Sequence, residues 1–269
     1  MVTLVNPEAK YSLVLLNKRQ ICLDTVILRF GLPSESHVLG LSVGQHVNII
    51  AQIGGKLTIR SYTPISPENA KGFVDLLVKV YRANENPKFP LGGKMTQYLD
   101  SLNVGDRVDF RGPLGLIVYK GHGNFEVRKG VRDRAVKKHY KKIGMLAGGS
   151  GITPMWQIIK AVLSNDTDDT SISLLFANQS EDEILLRDEL DELANTYPRK
   201  FKVWYTVDQA SPDWSYSTGF INAQMIEDHL PSAGNDVAVL MCGPPPMINF
   251  ACLPSLDKLN YPPENRLIF

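Results

Sequence analysis

Three cysteines in 269 residues, Cys22, Cys242 and Cys252, are too few and too widely spaced for a disulfide framework, a zinc site or an iron–sulfur cluster. Reduced thiols and no metal are the expectation. A surplus of one charge is also missing. The 29 Lys and Arg against 28 Asp and Glu give a formal net charge of +1, which argues against a nucleic-acid binder relying on a basic field. No apolar run reaches the ~18 residues of a membrane span. The opening "MVTLVNPEAKYSLVLLNKRQ" lacks the basic-then-apolar order of a signal peptide. The chain therefore reads as soluble and cytoplasmic, without internal repeats or low-complexity tracts.

What is present divides by period. From Tyr11 to about Gly115 the chain runs in short alternating segments such as "YSLVLLNK", "HVNIIAQI" and "FVDLLVKVY", punctuated by Gly, Pro, Asn and Ser. "IGGK" at 53–56 is a hairpin signal, and only "GGKMTQYLDSL" at 92–102 reads as a helix. This pattern predicts an antiparallel β-barrel with one helix over residues 1–116. From Lys142 strands and helices alternate, which predicts a doubly wound parallel sheet over 142–269. Between them, residues 117–141 are polar and basic and read as a linker. The expected fold class is thus two-domain, β followed by α/β.

Four stretches carry chemistry. In "RSYTPIS" (60–66), alternation sets Arg60 and Tyr62 on one face, with Thr63 beside the turn that Pro64 enforces. A cation, an aromatic plane and a hydroxyl suit a flat phosphorylated ligand, although an edge strand with a solvated Arg would look the same. In "MLAGGSGITPM" (145–155), an apolar strand runs into a glycine-rich turn that opens a helix, an arrangement whose free N–H groups receive phosphates. Gly149, Gly151 and Pro154 spell G-x-G-x-x-P, a departure from the usual fingerprint, which ends in Gly or Ala.

"LGGKMTQYL" offers a second such opening, with Lys94 and Thr96 in its first turn. Asp208, at the end of "FKVWYTVD", can accept hydrogen bonds from a ribose 2′-OH and repel a 2′-phosphate. It lies 57 residues beyond Gly151 rather than the usual ~20, and an Asp at a strand end equally caps turns. "MCGPPPM" (241–247) ends an apolar strand in Cys242 and Gly243, small enough to admit a planar ring, though a buried inert thiol fits as well. Two phosphate sites in two domains suggest two nucleotides and electron transfer between them.

With "RSYTPIS", "VKVY", "GGKMT", "RGPLGL", "AGGSGITPM", "FANQSEDEILLRDEL" and "MCGPPPM" in this order, the sequence resembles the NADH–cytochrome b5 reductase family of the ferredoxin–NADP reductase superfamily over essentially its whole length. The resemblance implies an FAD-binding barrel followed by an NADH-binding domain, with flavin and nicotinamide meeting at a cleft. It assigns Arg60 to the FAD pyrophosphate, Tyr62 and Thr63 to the isoalloxazine, and Lys79 and Tyr81 to the flavin and nicotinamide side. Gly93, Lys94, Met95 and Thr96 take the phosphates. Gly149, Ser150, Thr153 and Pro154 form the NADH and flavin-side loop, Asp208 selects the ribose, and Cys242 lies near the nicotinamide. Val78, Phe89, Phe220, Gly243, Pro244 and Met247 complete the cofactor-binding set. The residues assigned to catalysis are Thr63, His46, Lys79 and Cys242, with His46 linking the flavin to solvent through Thr63. Ser61 stands where many relatives have Pro.

The implied reaction is hydride transfer from NADH to FAD, then single electrons to a heme protein such as cytochrome b5. Eight Lys and Arg between Arg128 and Lys142, with only Asp133 opposing, could steer an acidic acceptor. A monomer is expected, placed at the cytosolic face of the endoplasmic reticulum or mitochondrial outer membrane if an anchor belongs to the natural protein. The flavin fragment of a nitrate reductase, and a dinucleotide-binding module without redox activity, are the competing readings.

Overall fold

In β1 (Tyr11–Cys22) Leu13 and Leu15 are buried while Ser12 and Leu16 face outward, the alternation of a strand with one face on a core. Alternation recurs in β2 (Thr25–Gly31), β3 (His46–Ile53), β5 (Phe73–Lys79) and β6 (Arg107–Leu114), and β4 (Lys56–Tyr62) joins as an edge. Gly54 and Gly55, at φ +55° and +73°, make the tight β3–β4 turn that side chains would resist. The strands form a six-stranded antiparallel sheet in the order β4-β3-β6-β1-β2-β5. Its inner face packs Phe30 edge-on against Phe110, with ring centroids 5.0 Å apart. The two edge strands approach each other after β4, where the Ile65 amide donates to the Asp75 carbonyl. Helix α1 (Lys94–Ser101) contacts β3, β4 and β5 and buries Met95 and Leu99, one turn apart, each worth about 1.5–3 kcal/mol of apolar burial.

The chain, a computed structural model describing residues 1–85 and 90–269, divides into two compact units, Met1–Gly115 and Leu116–Phe269. Phe89 lies outside the described residues.

The second unit begins with a finding the sequence did not suggest. Much of 117–141, expected as a linker, folds as a three-stranded antiparallel sheet of β7 (Ile117–Tyr119), β8 (Asn124–Val127) and β9 (Val136–His139). Tyr119, Phe125 and Tyr140 form its aromatic core. The Tyr119 hydroxyl donates to Asp168 Oδ2 at 2.5 Å, and the His122 amide donates to the same oxygen at 2.7 Å. Burial raises the Asp168 carboxyl, and hydrogen bonds from Thr170, Tyr119 and His122 more than reverse that, leaving it lowered. Three aromatics and one remote carboxylate hold a segment whose composition looked like a linker.

The main sheet is fully parallel, in the order β13-β12-β11-β10-β14-β15. Its strands are β10 (Lys142–Gly148), β11 (Ser171–Ser180), β12 (Phe201–Gln209), β13 (Ser217–Thr218), β14 (Val237–Cys242) and β15 (Arg266–Ile268). The intervening helices are α2 (Ile152–Leu163), α3 (Arg187–Thr196), α4 (Ala223–His229), α5 (Pro245–Met247) and α6 (Leu253–Lys258), the last two joined by a π-helical turn. Leu146, Leu175, Val239 and Met241 share a core with residues of α4 and α6. Met145, Leu174 and Leu240, one position away on the same strands, are equally buried, as strands covered on both faces must be. The strand order reverses between β10 and β14, so the crevice beyond their C-terminal ends is where a doubly wound fold receives a ligand.

Candidate functional site

In the first unit, β4 delivers Arg60, Tyr62 and then Thr63. Arg60 is exposed and its Nη1 donates only to the Ile59 carbonyl at 2.7 Å, so no carboxylate among the described residues neutralises it. Tyr62 packs against the barrel core; burial drives its phenol well above the ordinary value, Arg60 opposes this, and nearby Tyr81 adds to it. The β3–β4 register runs as far as Val47 opposite Tyr62, one position short of His46 and Thr63, and His46 pairs with Leu114 on the other side. No hydrogen bond joins His46 to Thr63 among the described residues. Burial pushes the His46 imidazole below its usual value.

Val78 is buried at the end of β5, and Lys79 follows it in an ion pair with Asp24, Nζ to Oδ2 3.1 Å. Burial raises the Asp24 carboxyl, and Lys79 together with hydrogen bonds from Thr25 and Cys22 leaves it lowered. Tyr81 is 48% exposed, and its amide donates to Thr96 Oγ1 at 3.2 Å. Gly92 and Gly93 are needed because this strand end passes so close. A Cβ on Gly92 would lie 2.4 Å from the Tyr81 carbonyl oxygen, and one on Gly93 would lie 2.5 Å from Thr96 Oγ1. No side chain caps α1, so the first-turn N–H groups of Lys94, Met95 and Thr96 stay available beside the exposed Lys94 ammonium.

In the second unit, β10 ends at Gly148 and a single 3-10 turn, Gly149–Gly151, leads into α2, again with no side-chain cap. The glycines divide their work. A Cβ on Gly151 would lie 2.1 Å from the Cys242 carbonyl oxygen, and one on Gly243 would lie 2.6 Å from Met247 Cε. These two let the ends of β10 and β14 touch at the crevice. Gly149, at φ +52°, would carry a Cβ into open space and leaves its backbone approachable. Ser150 is exposed, Thr153 Oγ1 donates to the Ser150 carbonyl at 3.1 Å, and Pro154 is buried in the first turn of α2.

Cys242 is half-buried at the tip of β14, and burial pushes its thiol up to about 11, so it stays protonated near neutral pH. Pro244 is exposed, and Met247 packs over Gly148 and Gly243. Asp208 is exposed near the end of β12, and burial and then Glu183 raise its carboxyl. Phe220, 79% exposed, follows Gly219 just past β13.

The fold thus gathers Gly149–Pro154, Cys242, Gly243, Pro244 and Met247 at one end of the parallel sheet, with Asp208 at the same C-terminal edge. It gathers Arg60, Tyr62, Lys79, Tyr81 and Gly93–Thr96 in the first unit. One residue the motif reading missed is Asn178, at the C-terminal end of β11, whose Oδ1 and Nδ2 are both shielded from solvent with no protein partner among the described residues. A shielded, unpaired amide costs about 1–3 kcal/mol. In sequence, a lone Asn near a strand end is indistinguishable from a turn residue.

Comparison with known proteins accords with this geometry. The Oxidoreductase FAD-binding domain family matches residues 12–119, and the Oxidoreductase NAD-binding domain family matches 145–253. NADH-cytochrome b5 reductase 2 of Gallus gallus is 56% identical over 261 residues, 97% of this chain and 86% of the relative. NADH-cytochrome b5 reductase 3 of Rattus norvegicus is 54% identical over 268 residues, 100% of this chain and 89% of the relative. The cytochrome b5 reductase domain of Ulva prolifera nitrate reductase superposes with a TM-score of 0.93 at 41% identity, covering 99% of each chain. With an FAD-binding and an NAD-binding oxidoreductase domain in order and relatives above half identity along its length, this chain belongs to the NADH–cytochrome b5 reductase family.

Proposed function

We propose that this protein takes a hydride from NADH onto FAD and passes electrons singly to a heme protein, cytochrome b5 being the acceptor in view. The observation that carries this reading is the presence, one per unit, of two glycine-opened and uncapped helix starts suited to two pyrophosphates. FAD supplies the ability to accept two electrons together and release them one at a time.

The residues fit both groups. Arg60 and Lys94, with the first-turn amides of α1, make a cationic donor set for the FAD pyrophosphate. Tyr62 offers a fixed ring face to the flavin, with Thr63 and Val78 beside it. Lys79, held by Asp24, keeps positive charge on the flavin and nicotinamide side. Gly149, Ser150 and the α2 amides receive the NADH pyrophosphate, and Asp208 accepts from the ribose 2′-OH and repels a 2′-phosphate. Cys242 serves as a small, neutral, close-packing group against the nicotinamide; a thiol pushed up to about 11 is no thiolate nucleophile. His46 is the residue we assign to a proton path toward solvent through Thr63, each one position beyond the last paired residues of β3 and β4. Asn178 adds an unspent amide at the same sheet edge.

The basic segment Arg128–Lys142 supports an acidic acceptor, since all but one of its Lys and Arg are exposed. We take the protein to act as a monomer. No helix among the described residues is long and apolar enough to cross a membrane, and a place on a membrane face rests on the family resemblance alone.

The 41% identity to a nitrate reductase domain favours one second reading, the same chemistry as part of a longer electron-transfer enzyme. Anaerobic addition of NADH tests the first step: the flavin's visible absorption bleaches rapidly, and slowly with NADPH. A colourless protein that FAD cannot reconstitute overturns the reading. Reduction of cytochrome b5 that weakens as salt rises supports acidic docking, and salt-independent reduction rejects it.

A further inference from the structure

A cavity lies at the opposite end of the parallel sheet from the coenzyme crevice. Along β10, from Gly148 back to Lys142, the separation is about 20 Å at ~3.3 Å per residue. There, at the N-terminal ends of β10, β11 and β12, the second unit carries a half-open cavity of about 680 Å³, within the range of small-molecule sites.

Its floor is polar where a doubly wound sheet is usually apolar. In the parallel register Lys142 pairs with Ser171, Gly144 with Ser173, and Ser173 with Lys202, so all of these side-chain positions share one sheet face. Further along that face come Leu146, Leu175 and Trp204, covered by α4 and α6. The cover stops short because α4 has only seven residues; its last contact is Leu230, whose side chain lies over Gly144 so closely that a Cβ there would meet Cδ2 at 2.8 Å. Beyond it, Ser171 and Ser173 are half-buried, and their hydroxyls have no protein partner among the described residues. One wall is the His229 ring stacked on Trp204, centroids 3.9 Å apart at 11°, with Trp204 fixed by its indole donating to Ser217 Oγ at 2.9 Å.

The charge on this lining is one-sided. Lys142, Arg199, Lys200 and Lys202 face the cavity against a single carboxylate, Asp228. Lys200 spends its ammonium on the Asp166 carbonyl at 3.4 Å, whereas Lys142, Arg199 and Lys202 have no ion-pair partner among the described residues. Three uncommitted cations around two uncommitted hydroxyls, against one carboxylate, make a lining in which positive donors predominate.

We propose that this cavity is a second ligand site within the second unit, apart from that unit's coenzyme crevice, that binds a small polyanion of the phosphate class. Ser171 and Ser173 donate to the anion from the sheet, Lys142, Arg199 and Lys202 flank it, and the His229–Trp204 stack borders its organic part. The rigid floor of paired strands distinguishes this from a loose surface basic patch.

The test uses the FAD-loaded protein saturated with NAD⁺, so that both coenzyme cradles are filled, titrated calorimetrically with inorganic pyrophosphate at low ionic strength. The expected result is one saturable equivalent. The double variant Arg199→Gln/Lys202→Gln weakens it at least tenfold and Ser173→Ala weakens it less, while NADH-driven flavin reduction stays unchanged, because none of these residues belongs to the hydride-transfer site or to the basic acceptor segment. Succinate in place of pyrophosphate gives much weaker binding. Absence of saturable binding, binding unaltered in the double variant, or equal binding of succinate would each overturn the proposal. The readout is binding heat, so the site can fail while the reductase reading stands, and the reverse.

Discussion

Two glycine-rich turns open helices in this protein, and they solve the same problem differently. The opening of α1 pairs its free amides with the exposed Lys94, in the unit that also presents the unpaired Arg60. The opening of α2 has no basic residue in its first turn; its only cation, Lys160, is in the last. Amides at both openings can donate to a phosphate, but only the first adds a fixed positive charge, so the first opening suits a group that stays and the second a group that comes and goes. That is the division expected between a resident flavin and an exchanging nicotinamide. The glycines differ too: Gly92 and Gly93 yield to the passing Tyr81 strand end, whereas Gly151 yields to the tip of β14.

The largest test breaks the two openings separately. Gly151→Ala drives a Cβ toward the Cys242 carbonyl, where backbone must move; the KM for NADH should rise more than tenfold with FAD content unchanged. Gly93→Ala should do the converse, losing FAD on dialysis while the second unit keeps its fold. If either variant affected both coenzymes equally, the division would fail.

Next in size is Arg60→Ala, expected to weaken FAD binding by about 1.5–3 kcal/mol, the worth of a hydrogen bond to a charged group. Equilibrium dialysis at two salt concentrations checks it, since the salt dependence of FAD binding should fall with the lost charge. A smaller effect belongs to Asp208→Asn, which should shift the NADPH-to-NADH ratio of kcat/KM about tenfold, or about 1.4 kcal/mol. An unchanged ratio removes Asp208 as the selector.

The smallest effect concerns the first unit alone. Asp24 has a folded pKa below its ordinary 3.8, so its contribution is present above that value and is lost as pH falls through the lowered one. Thermal melts between pH 5 and pH 3 should therefore show a steeper loss for the wild type than for Asp24→Asn.

Much of this was legible in the chain. Period-2 alternation around Leu13 and Leu15 and the Gly54–Gly55 turn announced antiparallel strands, because side-chain direction in a strand is fixed locally. The change of period at Lys142 announced the parallel sheet. The three-stranded sheet within 117–141 was illegible, since Tyr119 finds Asp168 49 residues away and no local pattern marks such a partner. Asn178 escaped for a related reason: its lack of partners is a property of its surroundings.

The sequence by itself determined the alternation of elements, the two glycine openings and the order of motifs that places the chain in its family, all of which depend on backbone periodicity and residue type at short range. Tertiary structure decided which strand ends meet at the crevice, that the Cys242 thiol stays protonated, that Asp24 holds Lys79, and that Lys142, Ser171, Ser173 and Lys202 share one uncovered sheet face. Each of these depends on burial or on register between distant strands, and solvent exclusion and long-range pairing come into being only when the chain closes on itself.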